Sequence, residues 1–180
     1  MGTARLKISV EPPVDSLAIG RGFYQLEEDR LYVQIAPYDE HHRFFSWLET
    51  DTVRFDLDKD GRLLFVEVFE ARRRWTVIEN FAVPAYAQPA DIRWLDFREK
   101  LPEPQLLTDP DRARLVIAFS DDPVVSSYQP AWGIMVDCND TGRVVAVHVA
   151  DIIDDLAGRE IAAFRKQTNR GPDIRRLGSD

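Results

Sequence analysis

One cysteine, three histidines and no apolar run of membrane-spanning length are what this sequence offers where many proteins carry their chemistry. Each scarcity removes a class of protein. Cys138 has no partner for an internal disulfide, and its place in the β-rich run from Val136 to Val149 points to a small buried hydrophobe in a reducing compartment. The histidines are His41, His42 and His148. Asp39, Glu40, His41 and His42 form one candidate metal cluster, beside a calcium-like spacing further on, but neighbouring residues point in different directions and no second His or Cys cluster completes a coordination sphere. The cluster reads as a solvated loop. No serine stands in a G-x-S-x-G elbow. With no basic-then-apolar N-terminus either, the expectation is a cytoplasmic protein. Positive charge is also short. Lys and Arg number 23 against 31 Asp and Glu, a net charge of −8. Phosphate backbones and acidic lipids are repelled by such a chain, so no nucleic acid and no membrane are expected as partners, and a basic protein fits better. The cluster Arg72-Arg73-Arg74 beside Trp75 is an isolated exception between strands.

What is present is a chain of ordinary globular composition, 44% hydrophobic and 30% charged, whose 180 residues can build one good core or two small ones. Its most conspicuous stretch is Asp56 to Val68. Asp56, Asp58, Asp60, Gly61 and Glu67 match D-x-[DN]-x-[DN]-G-x5-E, the spacing that surrounds Ca²⁺ with side-chain oxygens while glycine makes the sharp turn. A loop of that kind runs between two helices. Here the exit reads Leu63-Leu64-Phe65-Val66-Glu67-Val68, rich in β-branched and aromatic residues, with Leu64, Val66 and Val68 on one face at period two. A β-hairpin accounts for the same residues: Thr52 to Leu57 enters, Asp58-Lys59-Asp60-Gly61 turns, and Arg62 onward returns.

The second half of the chain repeats this stretch. Val136 to Val149 aligns without a gap on Phe55 to Val68, with Asp137 on Asp56, Gly142 on Gly61, Arg143 on Arg62, and Val147 and Val149 on Val66 and Val68. Asn139 stands at the place of Asp58, Thr141 at that of Asp60 and His148 at that of Glu67. The turn survives and the carboxylates do not, so the hairpin is what the copies share. No metal is assigned to it.

Taken in order, Arg5 to Val10 alternates as a first strand and stops at Pro12-Pro13. Gly20-x-Gly22 reads as turn punctuation. Phe23 to Leu26 and Arg30 to Ala36 flank Glu27-Glu28-Asp29 as a hairpin. Phe44, Phe45, Trp47 and Leu48 have nearly helical spacing, so a short helix over one end of the sheet is expected. Trp75 to Ile78 extends the sheet. Pro84, Pro89, Pro102, Pro104 and Pro110 mark the connection between the copies, ordered by an apolar island in which Ile92, Trp94 or Leu95, and Phe97 pack against a repeat. Arg114 to Phe119 answers Arg30 to Ile35, and an irregular stretch with Trp132 leads to the echoed hairpin. Asp151 to Gln167 carries Ile153, Leu156, Ala157, Ile161 and Phe164 on one stripe, a helix closed by Gly171-Pro172. The expected architecture is mainly β (α+β), two pseudo-symmetric tandem β-hairpin units packed together. The units are a first β unit over 1–83, an ordered proline-rich bridge over 84–110, a second β unit over 111–150, a C-terminal amphipathic helix over 151–170 and a mobile tail over 171–180.

Leu31-Tyr32-Val33, followed by Asp56-x-Asp58-x-x-Gly61 and Val66-Glu67-Val68, resembles a family of short bacterial domains of unknown function whose members run L-Y-I and then D-x-D-x-x-G-x-h-x-G-I-E-I, where h is apolar. This chain resembles a tandem version, departing from the pattern at Phe65 and Ala146, where the family has glycine, and at His148. Members often look like partners of small toxins in gene pairs, so the resemblance implies a β fold and an acidic, protein-binding function.

No catalytic residue and no cofactor is assigned. Cys138 and His148 face each other across a hairpin at best, and strand thiols among valines are inert. Glu67 and His148 occupy equivalent places, and a pseudo-twofold packing of the copies could bring them together as a structural ion pair or as the acid/base pair of a hydrolase-like cleft. The leading expectation is a non-catalytic acidic protein-binding module. The alternatives are a calcium site at Asp56, Asp58, Asp60 and Glu67, and an enzyme using Glu67 and His148.

Overall fold

The computed structural model describes residues 2–35, 44–95 and 101–154. Strands dominate them: β1 (Lys7–Glu11), β2 (Ala18–Gln25), β3 (Arg30–Ile35), β4 (Ser46–Glu49), β5 (Val53–Leu57), β6 (Leu63–Val68), β7 (Thr76–Val77) and β8 (Gln88–Pro89). There follow β9 (Asp91–Leu95), β10 (Gln105–Thr108), β11 (Leu115–Ala118), β12 (Ser126–Trp132), β13 (Ile134–Cys138), β14 (Val144–Val149) and β15 (Ile153–Asp154). The fold is mainly β. A 3-10 turn at Arg72–Arg74 separates β6 from β7.

The first half lays its strands side by side in the order β4-β5-β6-β3-β2, and the second in the order β12-β13-β14-β11-β10, with β7 beyond β10. Position by position along the chain, the two orders are the same. They meet where β2 and β12 run parallel over two residue pairs, Ala18 with Ala131 and Ile19 with Trp132. Gly20 explains how the halves come so close. A Cβ built there would stand 2.5 Å from Cγ1 of Ile134, so only a residue without one lets β2 lie against β13. The glycine pair Gly20 and Gly22 is therefore part of strand β2 and not turn punctuation, which corrects the expectation from sequence.

β6 and β14 are buried at all six of their positions. Covered on both faces, they read as continuous apolar runs instead of clean alternations. Leu31, Val33, Phe55 and Val66 of the first half share one apolar cluster with Leu115, Ile117, Val136 and Val147 of the second, so a single core is common to both halves. The opposite faces carry smaller clusters, Tyr32 and Phe65 in the first half and Ala118, Val145 and Ala146 in the second.

β1 and β9 form a separate antiparallel ribbon, Lys7 against Leu95 through Glu11 against Asp91. The proline-flanked island thus packs as expected, through Ile92 and Trp94, while Leu95 faces outward. Trp94 is 1% exposed and its ring meets Phe55 edge-on at 5.4 Å. Burying a side chain of that size contributes roughly 2–3 kcal/mol, which fixes the ribbon to the first half. β10 lies within 84–110 and joins the second sheet beside β11, because Pro102 and Pro104 precede the strand and leave its donors free.

Two further expectations change. The helical spacing of Phe44 to Leu48 is overridden: Ser46–Glu49 is a strand, paired with β5 from Ser46–Leu57 to Glu49–Arg54. Four residues give too little length for a helix to compete with an adjacent ladder. The helix expected from 151 does not begin there, since Ile153–Asp154 pairs in parallel with Phe23 and Tyr24 of β2. The remainder of that helix, the tail over 171–180, the cluster Asp39 to His42 and Phe97 lie outside the described residues.

Candidate functional site

The two turns are built alike, atom for atom. In the first, Asp58 N–H donates to Arg62 O at 2.9 Å and Gly61 N–H to Asp58 O at 3.1 Å, while Asp58 Oδ1 accepts from Asp60 N–H at 2.8 Å and Arg62 N–H at 2.9 Å. In the second, Asn139 N–H donates to Arg143 O at 2.9 Å and Gly142 N–H to Asn139 O at 3.1 Å, and Asn139 Oδ1 accepts from Thr141 N–H at 3.0 Å and Arg143 N–H at 2.9 Å. Gly61 and Gly142 both have positive φ, +87° and +77°. A register shift falls at the same place in each hairpin, between Asp56 and Leu57 and between Asp137 and Cys138. The side-chain oxygen common to Asp and Asn does the bending.

That geometry separates the four carboxylates of the calcium spacing. Asp56 is fully buried on β5 beside Arg54, whose Nε donates to Oδ1 at 3.1 Å. Asp58 turns the backbone, Asp60 lies 3.3 Å from Arg62, and Glu67 lies 3.4 Å from Arg30. Strands, not helices, flank the loop on both sides. Among the described residues no group of three or more His, Cys, Asp or Glu side chains is arranged to hold a metal ion.

Among the described residues Glu67 pairs with Arg30 and His148 with Asp137, each on its own half. His148 lies in register with Met135 and Val116, and its Nε2 is 2.6 Å from Asp137 Oδ2. The second carboxylate oxygen of Asp137 accepts from Ser127 Oγ at 2.7 Å. A carboxylate acceptor fixes the ring proton on Nε2. The carboxylate stands between serine and imidazole, so the imidazole does not reach the hydroxyl as a general base must. Among the described residues His148 Nδ1 is buried with no hydrogen-bond partner. Asp137 is the member of this group that the sequence reading passed over; its signal was a second acidic residue on the same hairpin as His148, equivalent to Asp56. Cys138 lies opposite Val144, away from His148, and burial pushes its thiol up to about 12, where it is neither nucleophile nor ligand at neutral pH.

A cavity of about 390 Å³ opens under the β1–β2 connection, where no motif marks it. Its walls come from five separate stretches: Pro13 to Ala18, Ile35 at the end of β3, Arg62 to Leu64 after the first turn, Ala90 to Trp94, and Pro130. A cluster of ion pairs edges it, with Arg93 Nε also 3.5 Å from Asp91 Oδ2. Arg62 Nε and Nη2 donate to Asp91 Oδ1 and Oδ2 at 2.8 and 3.0 Å, a two-pronged bond, and Arg62 Nη1 lies 3.3 Å from Asp60. Hydrogen bonding by Arg62 holds the Asp91 carboxyl below the usual carboxylate range. Sequence proximity could not reveal this pair, because the hairpin turn and the β1–β9 ribbon are brought together by the fold, where Trp94 N–H also donates to Gly61 O at 2.7 Å.

The chain matches no family model and no curated protein. Among the described residues no helix is long and apolar enough to cross a membrane.

Proposed function

We propose that this chain is a non-catalytic, acidic protein-binding module of the cytoplasm, made of two copies of one β unit that have diverged around a common hairpin. The identical strand order and the matched turn hydrogen bonds support the duplication. The observation that carries the functional reading is how the buried ionisable groups are used. Asp56 with Arg54, and Asp137 with His148 and Ser127, are bound within their own sheets, where such pairs satisfy charges that burial would otherwise penalise. A net charge of −8 then favours a basic protein as partner.

The test is affinity capture from native cells with the whole chain, followed by titration of the captured protein, purified, against the purified chain. The expected outcome is a basic protein that forms a stoichiometric complex, weakened by salt. Complexes formed only in the extract, or a partner indifferent to ionic strength, would count against the reading. Turnover of a substrate that disappears in a stably folded His148→Ala or Glu67→Ala variant would replace it with the enzyme.

A further inference from the structure

We propose that the cavity beneath the β1–β2 connection is the receptor for a large apolar side chain of the partner, presented on a peptide with lysine or arginine on either side. This rests on the protein-binding reading above and assigns it a place.

The walls supply the apolar half of the argument. Ile35, Leu63, Ile92 and Trp94 enclose a volume of about 390 Å³. That is ample for one leucine, phenylalanine or tryptophan side chain, the kind of anchor that dominates protein interfaces, and it sits at the low end of the roughly 300–1,000 Å³ of small-molecule sites. Val14, 76% exposed, borders the cavity and offers apolar surface outside it for the flanking residues of a peptide.

The mouth supplies the charge. Arg62 is saturated by Asp91 and Asp60, so it has little left to offer an incoming anion. Asp15, in the exposed loop that roofs the cavity, makes no hydrogen bond or ion pair with any described residue. The uncompensated charge at the opening is therefore a carboxylate, on a chain whose overall charge has the same sign. An apolar group flanked by cations gains at both levels, local and long-range, and an acidic flank loses at both.

The experiment measures fluorescence anisotropy of labelled peptides with a central leucine, phenylalanine or tryptophan, flanked by lysines, serines or glutamates, against the whole chain. The peptides should bind in the order lysine-, serine-, then glutamate-flanked, and the lysine-flanked ones more weakly as salt rises. Ser16→Trp plugs the mouth from an exposed loop and Asp15→Lys reverses its charge, and both should fold with unchanged melting temperature. Each should weaken the lysine-flanked peptide by roughly tenfold or more, while Asp111→Lys, outside the cavity lining, should have a smaller effect. Equal binding of the three flanks, binding unchanged by Ser16→Trp, or 4-phenylbutylamine binding as tightly as the peptides would overturn the proposal, the last by making the cavity a small-amine site. A captured partner that stays bound to the Ser16→Trp protein would likewise refute this placement while leaving the protein-binding reading intact; failure to obtain any direct partner would strike that reading instead.

Discussion

Substituting alanine for each of the two turn glycines separates what the hairpin needs from what the tertiary structure adds. Gly61 and Gly142 sit at nearly the same positive φ, with the same backbone bonds around them. Either alanine meets the left-handed penalty, about 1–2 kcal/mol. Their surroundings differ. A Cβ at Gly142 would touch nothing within 4 Å, whereas one at Gly61 would lie 2.6 Å from the carbonyl oxygen of Trp94, a backbone atom that cannot swing aside. Gly61→Ala must push the turn away from β9. It loses most of the 2.7 Å bond from Trp94 N–H, worth about 1 kcal/mol net, and loosens a tryptophan whose burial contributes roughly 2–3 kcal/mol. The expected cost is about 1–2 kcal/mol for Gly142→Ala and about 3–4 kcal/mol for Gly61→Ala. With a urea slope of about 2 kcal/mol/M, the second midpoint falls about 1 M below the first. Asparagine tolerates positive φ, so Gly142→Asn should be nearly neutral while Gly61→Asn remains costly. Equal losses at the two sites would refute the claim that the β1–β9 ribbon seals the first turn.

Other substitutions test other contacts. Asn139 Nδ2 donates to Asp122 Oδ2 at 3.1 Å, so Asn139→Asp sets two carboxylates together and should lower the melting temperature at pH 7, with recovery at pH 3; the reciprocal Asp58→Asn should be mild. His148→Ala strands a buried carboxylate and should cost about 2–4 kcal/mol by urea titration, whereas Glu67→Ala, which removes a 3.4 Å contact to a half-exposed Arg30, should cost about 1 kcal/mol or less. Because Arg62 depresses the Asp91 pKa, the stability from that bond is complete at neutral pH and is lost as pH falls through the folded value, below the unfolded carboxylate value near 4. Unfolding curves from pH 7 to pH 2.5 should flatten in Asp91→Asn; an unaltered acid limb would dismiss the bond as a contributor. Cys138 should react with a thiol reagent only at the rate of global unfolding, and rapid labelling in native buffer would show that its strand opens locally.

Local chemistry was legible from residues alone. The hairpins at Gly61 and Gly142, the Glu27 to Asp29 turn and the packing of Ile92 and Trp94 all follow from periodicity and turn residues acting over a few positions. Readings failed where a distant segment decides. Gly20 looks like a loop residue until Ile134 is placed against it, and Phe44 to Leu48 carries a helical spacing that yields to the ladder with β5. The candidate site failed for the same reason on a larger scale. Its walls come from five stretches that no motif connects, and His148 holds the place aligned with Glu67 while its partner, Asp137, lies on the neighbouring strand.

The first strand has a long wait. β1 finds its ladder in β9, Ala4 N–H reaches Asp122, and Leu6 O accepts from Val144 N–H far down the chain. During synthesis those backbone groups emerge well before β9 and β14 and stay without their native partners until those strands follow, and loop closures of that span are slow. The stretch Lys7–Glu11 is thus open to mispairing with a neighbour, and Pro12-Pro13, which cannot donate to a ladder, end the sticky segment after five residues.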